Sequence, residues 1–172
     1  KISIIGTGYV GLITAVCFAE VGHNVLCVDK DCKKISDLEK GIPPIIEKGL
    51  KSALKKTISS KKIFFSSKIS DASKYSEIIF IAVGTPTKKN SNDADLSSLI
   101  NVINELKSFE MESKVIVIKS TVPIGTNLRL EEQYSNNGFK FVSNPEFLRE
   151  GEALLDARSP DRIVIGGRHD KA

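Results

Sequence analysis

The stretch Lys1 to Asp29, KISIIGTGYVGLITAVCFAEVGHNVLCVD, decides the fold. It opens on a short apolar run, Ile2–Ile5, and turns through Gly6-Thr7-Gly8-Tyr9-Val10-Gly11. It then continues as a helical stretch over 9–22 and closes on a second apolar run, Val25–Val28, that ends at Asp29. A GxGxxG pattern alone is a weak sign. Here it follows a strand, opens a helix and stands 18 residues (29 − 11) before an acid at the end of the next strand. In such a unit Gly6 makes the tight turn, Gly8 lets the backbone approach a pyrophosphate, and Gly11 lets helix and strand pack closely. The pyrophosphate rests on the helix N-terminus, where unpaired N–H groups and the helix dipole attract anions. Asp29 is expected to accept hydrogen bonds from the adenosine ribose and to repel a 2′-phosphate, favouring NAD over NADP. Lys30, Lys33 and Lys34 pull the other way. The competing reading is a glycine-rich turn beside a surface aspartate.

Working outward, further apolar runs occur at Ile78–Val83, Val115–Ile118, Phe139–Val142 and Ile163–Ile165, with Ile63–Phe65 a weaker one. Continuous rather than alternating apolar strands are expected where helices cover both faces of a parallel sheet. Amphipathic stretches lie between them, over 31–40, 45–58, 95–108 and 125–135. Asp95 is read as the N-cap of a helix whose Leu96, Leu99, Ile100, Ile103 and Leu106 share one face. Gly22 and Gly41 fall where helices end. The strand–helix alternation predicts an α/β fold: a doubly wound, Rossmann-type parallel sheet with helices on both faces, one domain over 1–172. Segment 84–94 is the longest polar loop. No terminal helix closes the pattern, so the domain is expected to be a piece of a longer protein.

Composition removes several classes of function. With 41% apolar and 27% charged residues in 172, the chain has an ordinary globular balance, not that of a disordered one. Twenty-five Lys and Arg against 21 Asp and Glu leave +4, spread over separate lysine doublets. No basic stripe interleaves with aromatics, so nucleic acid is not an expected partner. Cys17, Cys27 and Cys32 are too few and too irregular for a disulfide framework or a zinc site, and unpaired thiols fit a reducing cytoplasm. Cys17 and Cys27 sit in apolar runs and read as structural, Cys32 starts a helix, and His23 and His169 are isolated surface residues. No metal site is expected. No run reaches the roughly 18 apolar residues of a membrane span, and no charged leader precedes a long apolar run.

A second constellation lies at the ends of the later strands: Val83-Gly84-Thr85-Pro86-Thr87, Lys119-Ser120-Thr121-Val122-Pro123, and Asn144-Pro145-Glu146-Phe147-Leu148-Arg149-Glu150-Gly151. Open α/β sheets bind ligands outside those ends. Glu146 and Glu150, four apart, would share a face if a helical turn formed there, and could then serve as acid and base. Equally, Pro145 followed by two acids reads as an ordinary helix start.

Taken together, GTGYVG, VGTPT, KSTVPIG and SNPEFLREGEALLDARSPDRIVIG resemble the NAD-binding domain of the UDP-glucose/GDP-mannose dehydrogenase family, from Lys1 to about Gly167. The last block points to the UDP-glucose members, which oxidise C6 twice with two NAD⁺ to give UDP-glucuronate. The resemblance implies that Gly6, Thr7, Gly8, Tyr9, Val10, Gly11, Asp29 and Lys34 hold the adenosine diphosphate half of NAD. Val83, Gly84, Thr85, Pro86, Thr87, Ser120, Thr121, Val122 and Glu150 would line the nicotinamide half. Glu146, Phe147, Leu148, Arg149 and Glu150 would form the near wall of the UDP-sugar site, with Glu146 the acid/base of thioester hydrolysis and Thr121 positioning its water. The family's nucleophilic cysteine, with its catalytic Lys, Asn and Asp, would lie past residue 172, as would the central helix through which members dimerise. The fragment is therefore expected to be inactive and free to be monomeric. Two alternatives stay open: a dehydrogenase of GDP-mannose or a UDP-N-acetylhexosamine, and a stand-alone dinucleotide-binding module.

Overall fold

A computed structural model describes every residue except 90, 110–113 and 169–172. Among the described residues six strands, β1 (Ile2–Ile5), β2 (Val25–Val28), β3 (Ile63–Ser66), β4 (Ile78–Ile81), β5 (Val115–Ile118) and β6 (Lys140–Ser143), form one sheet. Its order is β3-β2-β1-β4-β5-β6, and every paired neighbour runs parallel. The chain walks outward from β1 to β3, then returns to the other side of β1 as β4. That reversal opens a crevice at the strand ends, between β1 and β4.

Among the described residues seven α-helices cover the sheet: α1 (Tyr9–Glu20), α2 (Cys32–Glu39), α3 (Leu50–Ser59), α4 (Ile69–Tyr75), α5 (Ser97–Lys107), α6 (Thr126–Tyr134) and α7 (Ala153–Arg158). Successive strand residues point to opposite faces, so each strand feeds two cores. Ile4, Cys27, Phe80, Val117 and Val142 pack with α1, α2, α3 and α7 on one side. Ile5, Val28, Ile81, Ile118 and Phe141 pack with α4, α5 and α6 on the other. This two-sided burial is why the strands read as continuous apolar runs. The buried hydroxyl of Ser3 is satisfied, donating to the Ala72 carbonyl at 3.3 Å and accepting from Ser76 at 2.8 Å.

Several expectations need correction. Ile163–Ile165 is not a strand: all three residues are exposed, and one antiparallel bridge, Ser143 to Gly166, is what attaches this stretch to β6. Residues 45–49 are loop, and α3 starts only at Leu50 behind Gly49, which is left-handed at φ 79°. The N-cap of α5 is Leu96, not Asp95. The aspartate still serves the helix start, accepting from the Ser97 N–H at 2.9 Å. No helical turn forms at 146–150; the next helix is α7, with Glu152 as its N-cap. Helices α4 and α7 went unpredicted because each is under two turns long and carries no sustained apolar period.

Candidate functional site

The glycine-rich loop connects β1 to α1, and its three glycines are required for different reasons. Gly6 has φ +98°, and a Cβ there would lie 2.5 Å from the Ala82 carbonyl oxygen. A Cβ on Gly11 would lie 1.9 Å from the Gly6 carbonyl oxygen, so this glycine is what lets α1 start against β1. Gly8 is different: a Cβ there would meet nothing within 4 Å. Gly8 stands next to the helix start, where the N–H groups of Tyr9, Val10 and Gly11 precede the first bond of α1, from the Leu12 N–H to the Gly8 carbonyl at 3.0 Å. The loop therefore fits a dinucleotide pyrophosphate: backbone and helix packing fix two glycines, and the third leaves room.

Asp29, at the end of β2, is held by four donors. Its Oδ2 accepts from the Thr7 N–H at 2.9 Å, the Thr7 hydroxyl at 2.8 Å and the Lys34 ammonium at 2.8 Å, and its Oδ1 accepts from the Asp31 N–H at 3.1 Å. Burial pushes this carboxyl up, but Lys34 and the Thr7 and Asp31 bonds outweigh it and hold Asp29 below the usual carboxylate range. Lys34 is thus ion-paired with Asp29 at 2.8 Å, while Lys30 and Lys33 are exposed. Thr7, expected in the cofactor site, is fully buried with both its hydroxyl and its N–H committed to Asp29. It shapes the loop from beneath.

The strand-end loops are arranged by fewer bonds. The Ser120 hydroxyl is turned inward, donating to the Val83 carbonyl at 2.7 Å, and Thr85 donates to the Thr121 carbonyl at 2.6 Å. These bonds tie the 83–87 and 120–122 loops together above β4 and β5. Gly84, Pro86, Thr87 and Thr121 are exposed, with Val83 and Val122 half-buried.

Residues 144–149 border a cavity of about 700 Å³ that also touches α1 and the 155–165 stretch. Glu146, Phe147, Leu148 and Arg149 line it together with Lys119 and Asn144, whereas Thr121 and Glu150 are not among its lining residues. Glu146 Oε2 accepts from the Leu148 N–H at 2.7 Å, which bends its carboxylate back on the loop. Lys119 donates to Asn144 Oδ1 at 3.2 Å; burial lowers its ammonium below the usual lysine value, against the pull of the Glu146 charge. The Arg149 guanidinium is already paired with Asp156 at 2.7 Å and Glu152 at 2.9 Å. The Arg162 guanidinium lies over the Phe147 ring at 4.5 Å.

Cys27 is buried and Cys32 is exposed at the start of α2, as read, whereas Cys17, read as a buried structural cysteine, is only half-buried and borders the cavity, with its thiol pushed up to about 11 by burial. His23 is exposed, its ring edge-on to Phe18, and His169 lies outside the described residues. Among the described residues no cluster of His, Cys, Asp or Glu could hold a metal, and no helix is long and apolar enough to cross a membrane. One residue that the sequence did not flag stands out. Glu47, in the α2–α3 loop, is buried against Tyr9, Gly151 and Ala153.

Comparison with known proteins agrees with this geometry. The profile of the "UDP-glucose/GDP-mannose dehydrogenase family, NAD binding domain" matches residues 1–172. A UDP-glucose 6-dehydrogenase of Rhizobium meliloti is 46% identical over 170 residues, covering 96% of this chain and 39% of the relative. The structure of a UDP-glucose dehydrogenase from Pyrobaculum islandicum superposes with a TM-score of 0.91 at 37% identity, over 98% of this chain and 41% of that one. A GDP-mannose dehydrogenase of Pseudomonas aeruginosa does so at 0.88 and 35%, over 97% and 41%. This chain spans about two-fifths of the length of these relatives. A glycine-rich loop that leaves room for a pyrophosphate, an aspartate at the end of β2 and a profile match over the whole chain lead to one conclusion: the chain belongs to the UDP-glucose/GDP-mannose dehydrogenase family, as its NAD-binding domain.

Proposed function

We propose that the protein carrying this domain oxidises UDP-glucose to UDP-glucuronate with two NAD⁺, and that this chain supplies the cofactor site and the near wall of the sugar-nucleotide site. The observation that carries the choice of sugar is that relatives named for UDP-glucose recur at 39–46% identity, while among solved structures the one named for UDP-glucose is 37% identical against 35% for the one named for GDP-mannose. When bound, NAD supplies the hydride acceptor. Gly8, Tyr9, Val10 and Gly11 offer backbone to the pyrophosphate, Asp29 and Lys34 meet the adenosine ribose, and the 83–87 and 120–122 loops with Glu150 border the nicotinamide half.

Glu146 is suited to taking a proton from water when the oxidised sugar is hydrolysed from the enzyme's cysteine. It is a carboxylate on a strand-end loop, half-shielded beside Phe147 and Leu148, and such general-base help contributes about 10²–10⁴-fold. Thr121, at the neighbouring strand end, positions that water. The nucleophile comes from outside this chain: Cys27 is buried, the Cys17 thiol is held protonated, and Cys32, at the start of α2, is not among the residues lining the cavity beside Glu146. The whole protein is a homodimer or larger assembly formed through segments outside this chain.

The test is NADH formation by the longer protein with UDP-glucose, GDP-mannose and a UDP-N-acetylhexosamine. Two NADH per UDP-glucose support the reading. Faster turnover of another sugar nucleotide contradicts the substrate, and no turnover of any of them favours a stand-alone binding module. The 172-residue chain alone should produce no NADH from UDP-glucose.

A further inference from the structure

Glu47 has no part in the chemistry above, yet the residue is only 9% exposed. Burying a carboxylate is costly unless donors surround it, and three do. Its Oε2 accepts from the Tyr9 hydroxyl at 2.9 Å and the Gly151 N–H at 3.0 Å, and its Oε1 accepts from the Ala153 N–H at 3.2 Å. These donors come from two places. Tyr9 is the first residue of α1, in the glycine-rich loop; Gly151 and Ala153 follow directly on the Glu146–Glu150 wall. Gly151 presents its N–H from a left-handed conformation, φ +88°, that favours glycine. The Tyr9 hydroxyl also lies 3.3 Å from the Arg149 carbonyl. Nearby, Leu154 packs 3.5 Å from where a Gly49 Cβ would stand, so the Glu47 loop and α7 meet in apolar contact as well. Burial, then the bond to Glu47 and its charge, push the Tyr9 hydroxyl up to about 12, so it stays a donor at any working pH.

We propose that Glu47 is a positioning residue that fastens Arg149–Ala153 to the glycine-rich loop through Tyr9, so that a dinucleotide seated on the loop stiffens this stretch of the substrate wall. The Tyr9 N–H is one of those facing the pyrophosphate, so a bound ligand fixes the first turn of α1 and with it the Tyr9 ring. A fixed Tyr9 hydroxyl fixes the Glu47 carboxylate, and that carboxylate holds the amides of Gly151 and Ala153. Rigidity gained at one site is thereby passed to the other without any large movement. The inference rests on NAD binding at the loop, not on which sugar nucleotide is oxidised.

Amide hydrogen exchange on the 172-residue chain, with and without saturating NADH, tests it. In the wild type NADH should slow exchange at Leu12, whose N–H bonds Gly8, and also several-fold at Gly151 and Ala153. In Glu47→Gln, which keeps size but loses an acceptor, NADH should still protect Leu12 while its effect at Gly151 and Ala153 disappears. A residue of purely structural importance would loosen 151–153 equally with and without NADH. Full NADH-dependent protection at 151–153 in Glu47→Gln overturns the proposal, as does protection of Leu12 but not of 151–153 in the wild type. Absence of protection even at Leu12 in the wild type overturns the cofactor reading beneath it. If Glu47→Gln fails to fold by circular dichroism, Tyr9→Phe at saturating NADH decides on the same terms: lost protection at 151–153 supports the link, retained protection overturns it.

Discussion

The glycine-rich loop and the 144–151 segment both lie at strand ends, but they are built to different degrees. The loop is fixed before any ligand arrives: Gly6 and Gly11 have backbone only 2.5 and 1.9 Å from where their Cβ atoms would stand, and Asp29 is held by four donors. The 144–151 segment has no regular structure, leaves Phe147 46% exposed, and borders a cavity in which Lys119 pairs with Asn144 and Arg149 with Asp156. Dinucleotide binding can be completed within this chain because one βαβ unit supplies backbone, dipole and carboxylate together. The second region has the form of one wall of a site.

The contrast can be broken most forcefully inside the loop. Gly11→Ala forces a Cβ into the Gly6 carbonyl, so it should destabilise the fold by about 3 kcal/mol and lower Tm by roughly 6–12 °C, read by thermal denaturation. Gly8→Ala should leave Tm almost unchanged, since its Cβ enters open space, yet weaken NADH binding at least tenfold by calorimetry, about 1.4 kcal/mol. Unchanged binding would mean that no phosphate approaches Gly8.

A smaller effect is expected at Asp29. Its folded-state value lies below the unfolded one of about 3.9. The stabilisation is therefore complete above that value and is lost as pH falls through the lower folded value. Asp29→Asn should flatten the acid limb of urea stability below about pH 4 and narrow the preference for NADH over NADPH. The smallest effects belong to the open segment. Lys119→Met removes a cation that burial disfavours and should raise Tm slightly, whereas Glu146→Gln should leave the stability of this chain unchanged. In the longer protein, Glu146→Gln should let a covalent adduct accumulate, visible by intact-mass spectrometry after mixing with NAD⁺ and UDP-glucose. Collapse of turnover without an adduct would move Glu146 to an earlier step.

The same contrast explains what could be read from the sequence. β1, β2 and β5 were legible to the residue because both their faces are buried and their apolar runs end at turn residues. The loop was legible because its requirements are local: three glycines and one acid within 29 residues. Ile163–Ile165 misled because a β-branched apolar run states a need for burial and not which partner supplies it. Asp95 was misplaced by one position because an Asx-type bond to Ser97 serves a helix start almost as a cap does. Glu47 was invisible for a stronger reason: its partners stand 38, 104 and 106 residues away, and no spacing rule connects them.

Calorimetric titration of the 172-residue chain with NADH and with NADPH tests the central claim most directly. The account predicts saturable one-to-one NADH binding and distinctly weaker NADPH binding, because the Asp29 carboxylate, despite Lys34 beside it, meets the position of a 2′-phosphate with negative charge. Equal affinities, or tighter NADPH binding, would show that Lys30, Lys33 and Lys34 outweigh the aspartate. No binding of either would contradict the assignment of the glycine-rich loop itself.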